Sequence, residues 1–484
     1  MNYSQFLNMV PEYSLVLILI AVFAVDFFMH KSPKKHEVLS AVTIALMAVL
    51  PFRIALLSEP SEAFAGLYVA SQAVNVMKVI LAFGTLVVLI MSQTWLKRSA
   101  LQLEGEYYLL VISTLLGMFV MMSSGHFLMF FLGLEMASVP LACMVAFDRH
   151  RQQSAEGAAK YILVATFSSG VMLFGISFIY AATGTLYFGD VATALERISP
   201  LGISFSPLCI MGLVFFFSGL AFKISLVPFH FWTADTYQGA PTPVTGYLSV
   251  ISKGAAALTL CIILMKVFAP MLLYWEYMLY IVIVLSITVA NLFAIRQTEL
   301  KRFMAFSSIS QAGYIMLAVV GNSQLSVAAL TYYVLVYIVA NMAVFTVINV
   351  VEHNNGGRTE MSAYNGFYQT NPKLSFLMTL ALFSLAGIPP FAGMFSKFFV
   401  FMAGVESGDP MAYFVVFVAL VTTVVSLYYY LLIVKAMYIT KTDSPLPTFQ
   451  SDLSTKAALA ICTVGIALFG IASCIYEWIA SAAV

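Results

Sequence analysis

Charged residues are scarce in this sequence. Asp, Glu, Lys and Arg make up 9% of the 484 residues, whereas hydrophobic residues make up 61%. A soluble protein of this size carries about 25% charged residues, so most of the surface must face lipid or other apolar protein. The 23 basic and 22 acidic residues give a net charge of +1, a balance that predicts neither nucleic acid nor an acidic molecule as a partner.

Residue patterns that bind metals, clusters or nucleotides are also missing. The sequence has no C-x-x-C pair and no His-rich cluster, which argues against an iron–sulfur centre or a structural zinc. No G-x-G-x-x-G or P-loop follows a strand-like run. We therefore expect no cofactor and no metal in this chain. The five cysteines are scattered singly and are interpreted as small buried hydrophobic residues: Cys143, Cys209, Cys261, Cys462 and Cys474.

Long apolar runs are what the sequence has instead. At roughly 30 residues for a span and its loop, the length allows on the order of 14 to 16 spans. The sequence predicts an all-α polytopic membrane protein with about 14 transmembrane helices, numbered 1 to 14 below, and no soluble domain. The runs lie near 12–30, 38–57, 75–96, 106–124, 126–147, 158–184, 207–230, 242–269, 271–295, 301–320, 325–351, 374–404, 411–439 and 457–482.

Basic residues alternate between the loops. Cytoplasmic loops of membrane proteins are enriched in Lys and Arg, so the basic loops are predicted to be cytoplasmic and both termini to lie outside. Loops after even-numbered helices hold Arg197 and few other basic residues. The first residues lack a signal-peptide pattern, so helix 1 is expected to be a retained span. Loops after odd-numbered helices hold Lys31, Lys34, Lys35, Lys97, Arg98, Arg149, Arg151, Arg296, Lys301, Arg302, Arg358, Lys373, Lys441 and Lys456.

A weak internal repeat divides the chain. Residues 158–176 resemble 328–348 with Tyr161 on Tyr333, an offset of 172, and Lys223 falls on Lys397 at an offset of 174. A repeat of five helices enters the membrane inverted; the alternative is chance similarity between apolar helices. The predicted units are 1–100 with helices 1–3, 101–270 with helices 4–8, 271–440 with helices 9–13 as the inverted half, and 441–484 with helix 14.

Four charged residues stand deep inside apolar runs: Glu135, Lys223, Lys253 and Lys397. Each costs several kcal/mol at the bilayer centre unless it is paired or hydrated. A buried pair that only fixes helix register is one interpretation. Three lysines and one glutamate cannot all form pairs, so the count favours a functional role.

Prolines accompany each of these charges. A proline within a helix frees a backbone carbonyl about four residues earlier, and a broken helix at membrane depth requires water or protein to satisfy the backbone. The pattern predicts breaks in helices 7 and 12 and hydrated sites beside the charges. The prolines are Pro140 after Glu135, Pro228 after Lys223, Pro241 and Pro243 before Lys253, and Pro389 and Pro390 before Lys397.

Proton transfer suits these residue types. Burial disfavours the charged form of a lysine, and a nearby carboxylate favours it. One charge about 7 Å away contributes on the order of 2 kcal/mol at an effective dielectric near 20, which is enough to switch a lysine between holding and releasing a proton. His230 is predicted either to relay protons, since imidazole titrates near neutrality, or to be a satisfied histidine at a helix break.

The remaining charges are weaker candidates. Lys160, with Glu156 one turn earlier, is predicted either to tune Lys223 or to mark an interface. Side chains near helix ends usually extend to the membrane surface. We expect this of Asp26, Lys78 and Lys266.

Three segments resemble one family closely: SLVPFHFWTADTYQGAPTPV (225–244), LKRFMAFSSISQAGY (300–314) and SLAGIPPFAGMFSKFF (384–399). They are similar to the antiporter-like membrane subunits of proton-pumping NADH:quinone oxidoreductase, complex I. The superfamily also includes multisubunit sodium/proton antiporters. The resemblance spans nearly the whole chain and is best to subunit N. Three features support this match: the length, the absence of a long lateral helix after helix 14, and the lysine at Lys397.

The resemblance implies a role for each buried charge. Glu135 and Lys223 resemble the family's glutamate on helix 5 and lysine on helix 7, and Lys253 resembles the helix 8 lysine of the hydrophilic axis. Lys397 resembles the helix 12 lysine at the exit or the neighbouring subunit, and His230 the histidine of the PFH motif. Gln311 departs from relatives that carry histidine, which puts a relay through helix 10 in doubt.

The resemblance also implies a setting. The chain would be a non-redox, proton-translocating subunit of a translocase in the bacterial inner membrane. It would contact other membrane subunits, including antiporter-like neighbours, and lipid. Flavin, iron–sulfur clusters and quinone would lie in partner subunits. The alternatives are a subunit of a cation/proton antiporter and a structural subunit with vestigial charges.

Overall fold

Apolar runs in lipid must satisfy their backbone internally, and every predicted run contains α-helix in the computed structural model, which describes residues 3–442 and 445–483. The predicted unit boundaries at residues 1 and 484 lie outside the described residues. The helices are α1 (Val10–Phe28), α2 (Lys35–Leu57), α3 (Gln72–Ser99), α4 (Glu104–Met122), α5 (Phe127–Val145), α6 (Gln152–Thr183), α7 (Phe188–Ile198), α8 (Pro207–Ile224), α9 (Phe231–Gly239), α10 (Thr242–Tyr247), α11 (Lys253–Lys266), α12 (Leu272–Ile295), α13 (Leu300–Val320), α14 (Gln324–Asn354), α15 (Phe367–Thr370), α16 (Pro372–Ala386), α17 (Ala392–Val405), α18 (Pro410–Tyr438), α19 (Leu453–Ile471) and α20 (Ser473–Ala482).

Thirteen segments of the described chain are helical, long and apolar enough to cross a membrane. Predicted helix 12 is absent from this set because it is divided into two shorter apolar helices, α16 and α17. The division accounts for the fourteenth predicted span. Predicted helix 14 also differs from the expectation, since its apolar run is split between α19 and α20.

Helix 7 is broken where the prolines predicted a break. α8 ends at Ile224, and Ser225 has a φ of 68°. The chain resumes as α9 at Phe231, so Pro228 lies within the break and not inside a helix as expected. The helix therefore ends directly after Lys223 and Ile224.

Helix 12 is broken as well. α16 ends at Ala386, and Gly387 takes a φ of 89° that favours glycine. Lys397 lies in the second half of this helix, α17, whereas Lys223 lies in the first half of helix 7. The two lysines that the sequence repeat aligns are thus on opposite sides of their breaks. Helix 8 is continuous but contains a π-helical turn, Leu248–Ser252, directly before Lys253.

Two elements lie in segments that were expected to be plain loops. Strands β1 (Ser61–Ala63) and β2 (Tyr68–Ala70) form a short antiparallel hairpin after α2. The amphipathic helix α7 lies within the predicted linker 185–206. Both are too short to give a span-length signal.

Loops that follow even-numbered helices meet on one face of the bundle, and loops that follow odd-numbered helices meet on the other. After helices 2 and 4, Val69 N–H donates to Ser123 O at 2.8 Å, and Phe127 N–H donates to Leu186 O, after helix 6, at 3.1 Å. On the other face, Leu300 N–H donates to Thr359 O at 2.9 Å, joining the loops after helices 9 and 11. The alternation agrees with the predicted division into basic and non-basic faces.

The centre of the bundle is formed by α13 and α14, whose apolar segments are buried along their whole length, together with α10 and α11. In the apolar segments of α1, α2 and α6, by contrast, 33% of the residues are buried. The outer helices thus face lipid or partner protein, while the central helices present polar side chains to one another.

Candidate functional site

Lys223 occupies the last turn of α8, where the break in helix 7 begins. Its side chain is buried, and its Nζ donates to Ser138 Oγ at 2.8 Å and to Tyr161 OH at 3.2 Å. Both acceptors are neutral hydroxyl groups on neighbouring helices, α5 and α6. The ammonium group is therefore solvated by hydroxyls and not locked to a carboxylate.

Glu135 lies one turn before Ser138 on α5, so the two residues share a helix face. The carboxylate acts on Lys223 electrostatically. However, no oxygen of Glu135 lies within 4.0 Å, the limit for an ion pair, of a nitrogen of any described basic group. Its Oε1 is buried and has no hydrogen-bond partner among the described residues. Ser138, and not Glu135, is therefore the residue of α5 that binds the Lys223 ammonium.

Lys253 begins α11 directly after the π-helical turn. It is 1% exposed, and its Nζ donates to Ser308 Oγ on α13 at 2.7 Å. Ser308 Oγ also lies 3.4 Å from Tyr237 OH and donates to Ser249 O at 3.3 Å. The Lys253 ammonium faces the Tyr237 ring, with 5.4 Å between Nζ and the ring centroid. Every contact of this lysine is with a neutral group.

His230 lies in the break of helix 7, at the residue before α9. Its Nδ1 is buried and lacks a hydrogen-bond partner among the residues described. The charge of Lys253 acts on the ring through space, but the two side chains are not hydrogen-bonded. His230 therefore lies in the break of helix 7 with one ring nitrogen unsatisfied.

Lys397 uses the break in helix 12. Its Nζ donates to Ala386 O, the carbonyl of the last residue of α16, at 2.9 Å. The ammonium also faces the Tyr314 ring at 4.9 Å from the centroid. A helix end leaves carbonyls without an intrahelical partner, and one of these carbonyls binds the lysine.

A small cavity with room for about one water molecule adjoins Lys397. Gln311 lines it and donates from Nε2 to Leu385 O at 3.3 Å and to Tyr430 OH at 3.2 Å, while its Oε1 accepts from Tyr333 OH. The residue that departs from the family histidine is thus a fully engaged polar contact of this cavity.

The three deep lysines share one property. None of Lys223, Lys253 and Lys397 has a carboxylate within 4.0 Å among the residues that the structure describes. An unpaired buried charge is costly, so the balance between the protonated and neutral forms is sensitive to small changes nearby. This sensitivity is what a proton-transferring group needs.

Lys160 lies elsewhere. Its Nζ binds Glu156 at 2.7 Å and Asp235 at 2.6 Å, and Asp235 also binds Arg302 at 2.5 Å. The Lys160 side chain is 44% exposed. The ion pair with Glu156 forms as the one-turn spacing suggests, but no hydrogen bond joins Lys160 to Lys223.

Sequence reasoning missed a buried ion pair near helix 1. The side chain of Lys78 is 0% exposed and binds Glu12 at 2.6 Å, so the expectation that it reaches the membrane surface is wrong. Tyr68 OH donates to Glu12 at 3.0 Å. Burial, and then the charge of Glu12, raises the pKa of Tyr68 far above its ordinary value, so the phenol remains a donor. The sequence could have indicated this pair, because Glu12 and Lys78 lie near the start of α1 and of α3.

A second buried cluster lies on the face with basic loops. Lys301 is 0% exposed, donates to Ala240 O at 2.7 Å and lies 3.7 Å from Glu352, which binds Arg151 at 2.9 Å. The sequence places Lys301 beside a loop, and only the packing of α13 and α14 buries it. In the described part of the chain no cluster of three or more His, Cys, Asp or Glu could hold a metal ion.

Comparison with known proteins decides the family. The profile of the NADH:quinone oxidoreductase/Mrp antiporter transmembrane family matches residues 124–426. NADH-quinone oxidoreductase subunit N of Phocaeicola vulgatus is 54% identical over 485 residues, covering 100% of both chains. The chain belongs to the family of NADH-quinone oxidoreductase subunit N. Subunit N of Azobacteroides pseudotrichonymphae is 46% identical, covering 99% of this chain and 98% of that one.

Solved structures share the fold of this subunit N family member. A chain of respiratory complex I from Thermus thermophilus with bound aureothin has a TM-score of 0.79 and 30% identity, covering 95% of this chain and 97% of that one. The Mrp complex from Dietzia has a TM-score of 0.81 at 19% identity, covering 100% and 97% of the two chains. At that identity the likeness concerns the fold alone. The predicted family and the predicted all-α membrane fold are confirmed.

Proposed function

We propose that this chain is a proton-translocating membrane subunit of a NADH-quinone oxidoreductase, complex I. Electron transfer from NADH to quinone takes place in other subunits, which hold the flavin, the iron–sulfur clusters and the quinone. This chain takes part in the translocase without redox chemistry of its own. It lies in the bacterial inner membrane beside other antiporter-like subunits, with both termini on the periplasmic side. The names of its relatives and the similarity to a complex I chain support this setting.

The observation that carries the proposal is the environment of Lys223, Lys253 and Lys397. All three are buried and bind hydroxyls or a backbone carbonyl, with no carboxylate in contact. By contrast, the buried Lys78 and Lys301 each have a glutamate within ion-pair distance. A lysine tightly paired with a carboxylate holds its proton, whereas one solvated by neutral groups can release it when a neighbouring charge changes.

The hydroxyl and amide groups beside the lysines define the proposed order of transfer. Ser138, one turn after Glu135 on α5, binds Lys223. On α13, Ser308 binds Lys253, and Gln311, one turn further, lines the cavity beside Lys397. His230 stands with a free ring nitrogen in the break between Lys223 and Lys253. Water in the two helix breaks would complete the connections.

The runner-up function is that of a subunit in a cation/proton antiporter. The similarity to the Mrp complex is 19% in sequence, whereas subunit N relatives reach 54%. The oxidoreductase is therefore favoured. Purification of the assembled complex separates the two: flavin and NADH dehydrogenase activity should accompany this chain, and a cofactor-free membrane assembly would instead support the antiporter.

The proposed proton transfer is tested by Lys223→Ala in the assembled complex reconstituted into vesicles. We expect loss of most proton pumping and of coupled quinone reductase activity, with Lys223→Arg less impaired because it keeps a cation in the site. Lys34→Gln, an exposed lysine on a loop, is the matched control and should pump normally. Undiminished pumping by Lys223→Ala would assign the chain a structural role.

A further inference from the structure

An open groove of about 820 Å³ runs down the outside of the bundle between α16 and α19. Along most of its length the walls are apolar and include Leu377, Leu459 and Val464. Ala460 and Val464 are exposed on α19. The groove therefore presents an uncovered hydrophobic surface on a chain that spans a membrane.

One end of the groove, where α16 and α19 begin, is basic. Lys373 and Lys456 line it, both are exposed, and neither forms an ion pair with a described acidic residue. No Asp or Glu is among the described residues that line the groove. Asp452 lies one turn before Lys456 at the start of α19 but does not line the groove, so the groove itself presents two positive charges and no negative one.

Charge and hydropathy change along the groove in helical steps. On α19, Lys456, Ala460 and Val464 follow at one-turn spacing, and on α16 Lys373 is followed by Leu377. Residues four apart lie on the same helix face. Each wall therefore has a cation at the end of the helix and apolar surface below it.

The basic end is held in place by hydrogen bonds. Asn371 Nδ2 donates to Pro447 O at 2.9 Å, and its Oδ1 accepts from Phe449 N–H at 2.9 Å. Thr448 Oγ1 donates to Thr370 O at 3.2 Å. These contacts fix the loop before α19 against the start of α16, so the groove is a formed feature of the fold.

We propose that this groove binds a phospholipid with a net negative headgroup, whose phosphate contacts Lys373 and Lys456 and whose acyl chains lie against Leu377, Leu459, Ala460 and Val464. Both lysines belong to the face with basic loops, which is the face that meets the anionic leaflet. A zwitterionic lipid would match the apolar walls but not the two unpaired cations. A free phosphate would match the cations but leave the walls uncovered.

The test uses the purified complex in phosphatidylcholine vesicles that contain a trace of phosphatidylglycerol with a photoreactive acyl chain. Labelled peptides are mapped after illumination. We expect labelling of α16 and α19 by the phosphatidylglycerol probe and weak labelling by the matching phosphatidylcholine probe. The double variant Lys373→Gln/Lys456→Gln should bind the phosphatidylglycerol probe roughly 30-fold more weakly at low salt, because it loses the attraction that two surface lysines exert on an anionic lipid. The control Lys31→Gln/Lys34→Gln, with the same loss of charge, should label like the parent.

A second pair of variants separates a lipid from other occupants. Ala460→Trp fills the apolar part and should abolish labelling, and the smaller change Ala460→Leu should reduce it in part. Equal labelling by both probes, insensitive to the lysines, would overturn the proposal, as would labelling that is confined to other subunits. Competition by inorganic phosphate that is unaffected by Ala460→Trp would identify a free-anion site and also overturn it.

Discussion

Lys253 and Ser308 are joined by a 2.7 Å hydrogen bond between Nζ and Oγ at the centre of the bundle, where no described carboxylate contacts the lysine. Ser308 is in turn within 3.4 Å of Tyr237 OH. A neutral acceptor stabilises the ammonium only modestly, so this lysine keeps the capacity to lose its proton. The same relationship, a buried cation on a hydroxyl, recurs at Lys223 and Ser138.

Ser308→Ala is expected to lower coupled activity, because it removes the hydrogen-bond acceptor of Lys253. Loss of one partner of a buried polar group costs about 1–3 kcal/mol, which corresponds to roughly a 5- to 150-fold effect on the step that needs the protonated lysine. Quinone reductase rate and proton pumping in vesicles measure it. Ser308→Thr, which retains the hydroxyl, should recover most activity. Ser426→Ala, a buried serine bonded only to its own helix, is the control and should remain near the parent.

Gln311 is expected to be essential as a polar group and replaceable by histidine. Gln311→Leu leaves Tyr333 OH and Tyr430 OH without the partners that the amide provides, so activity should fall at every pH. Gln311→His should remain active and acquire a pH-dependent step in the pumping profile that the parent lacks, because imidazole can gain and lose a proton where an amide cannot. Full activity of Gln311→Leu would show that proton transfer does not require Gln311.

Glu135 is expected to act through its charge. Glu135→Gln keeps the shape but removes the field that acts on Lys223, so both Glu135→Gln and Glu135→Ala should slow pumping and coupled turnover. Glu156 is not expected to replace it, because its carboxylate is paired with Lys160 at 2.7 Å. Vesicle pumping assays across a range of pH provide the measurement. Equal rates for Glu135→Gln and the parent at every pH would contradict the assignment.

The Lys78–Glu12 pair is expected to serve stability, in contrast to the unpaired lysines. Lys78→Met leaves Glu12 buried without its cation, which costs about 3–5 kcal/mol. The fraction of assembled complex after detergent extraction, and its thermal inactivation temperature, should both drop. Adding Glu12→Gln should restore much of the loss, since the unpaired charge is then gone. Normal assembly of Lys78→Met with lost pumping would place this pair in the proton path instead.

The spans and the breaks could be predicted because they depend on local sequence. Run length fixes a membrane helix, and Pro228 and Pro390 fall within the two breaks. Lys223, Lys253 and Lys397 were found because a charge in an apolar run is conspicuous. Their burial agrees with that reasoning, since each of the three residues is at most 4% exposed.

The partners of these residues could not be predicted, because they come from other helices. Ser138 and Ser308 are ordinary neutral residues in the sequence, and only the packing of α5 against α8 and of α11 against α13 brings them to the lysines. Lys78 was expected to reach the surface because it lies near a helix end, and its partner Glu12 is 66 residues away in the sequence. Lys160 was predicted either to tune Lys223 or to mark an interface, and its partner Asp235 on α9 is 75 residues away in the sequence.

The most direct test of the central claim is a map of the assembled complex at a resolution that shows ordered water. The account predicts water molecules in the breaks of helices 7 and 12 that connect Lys223, through His230, to Lys253, and from Ser308 and Gln311 to Lys397. Packed hydrocarbon that separates these side chains, with no opening on rotation of any of them, would contradict it.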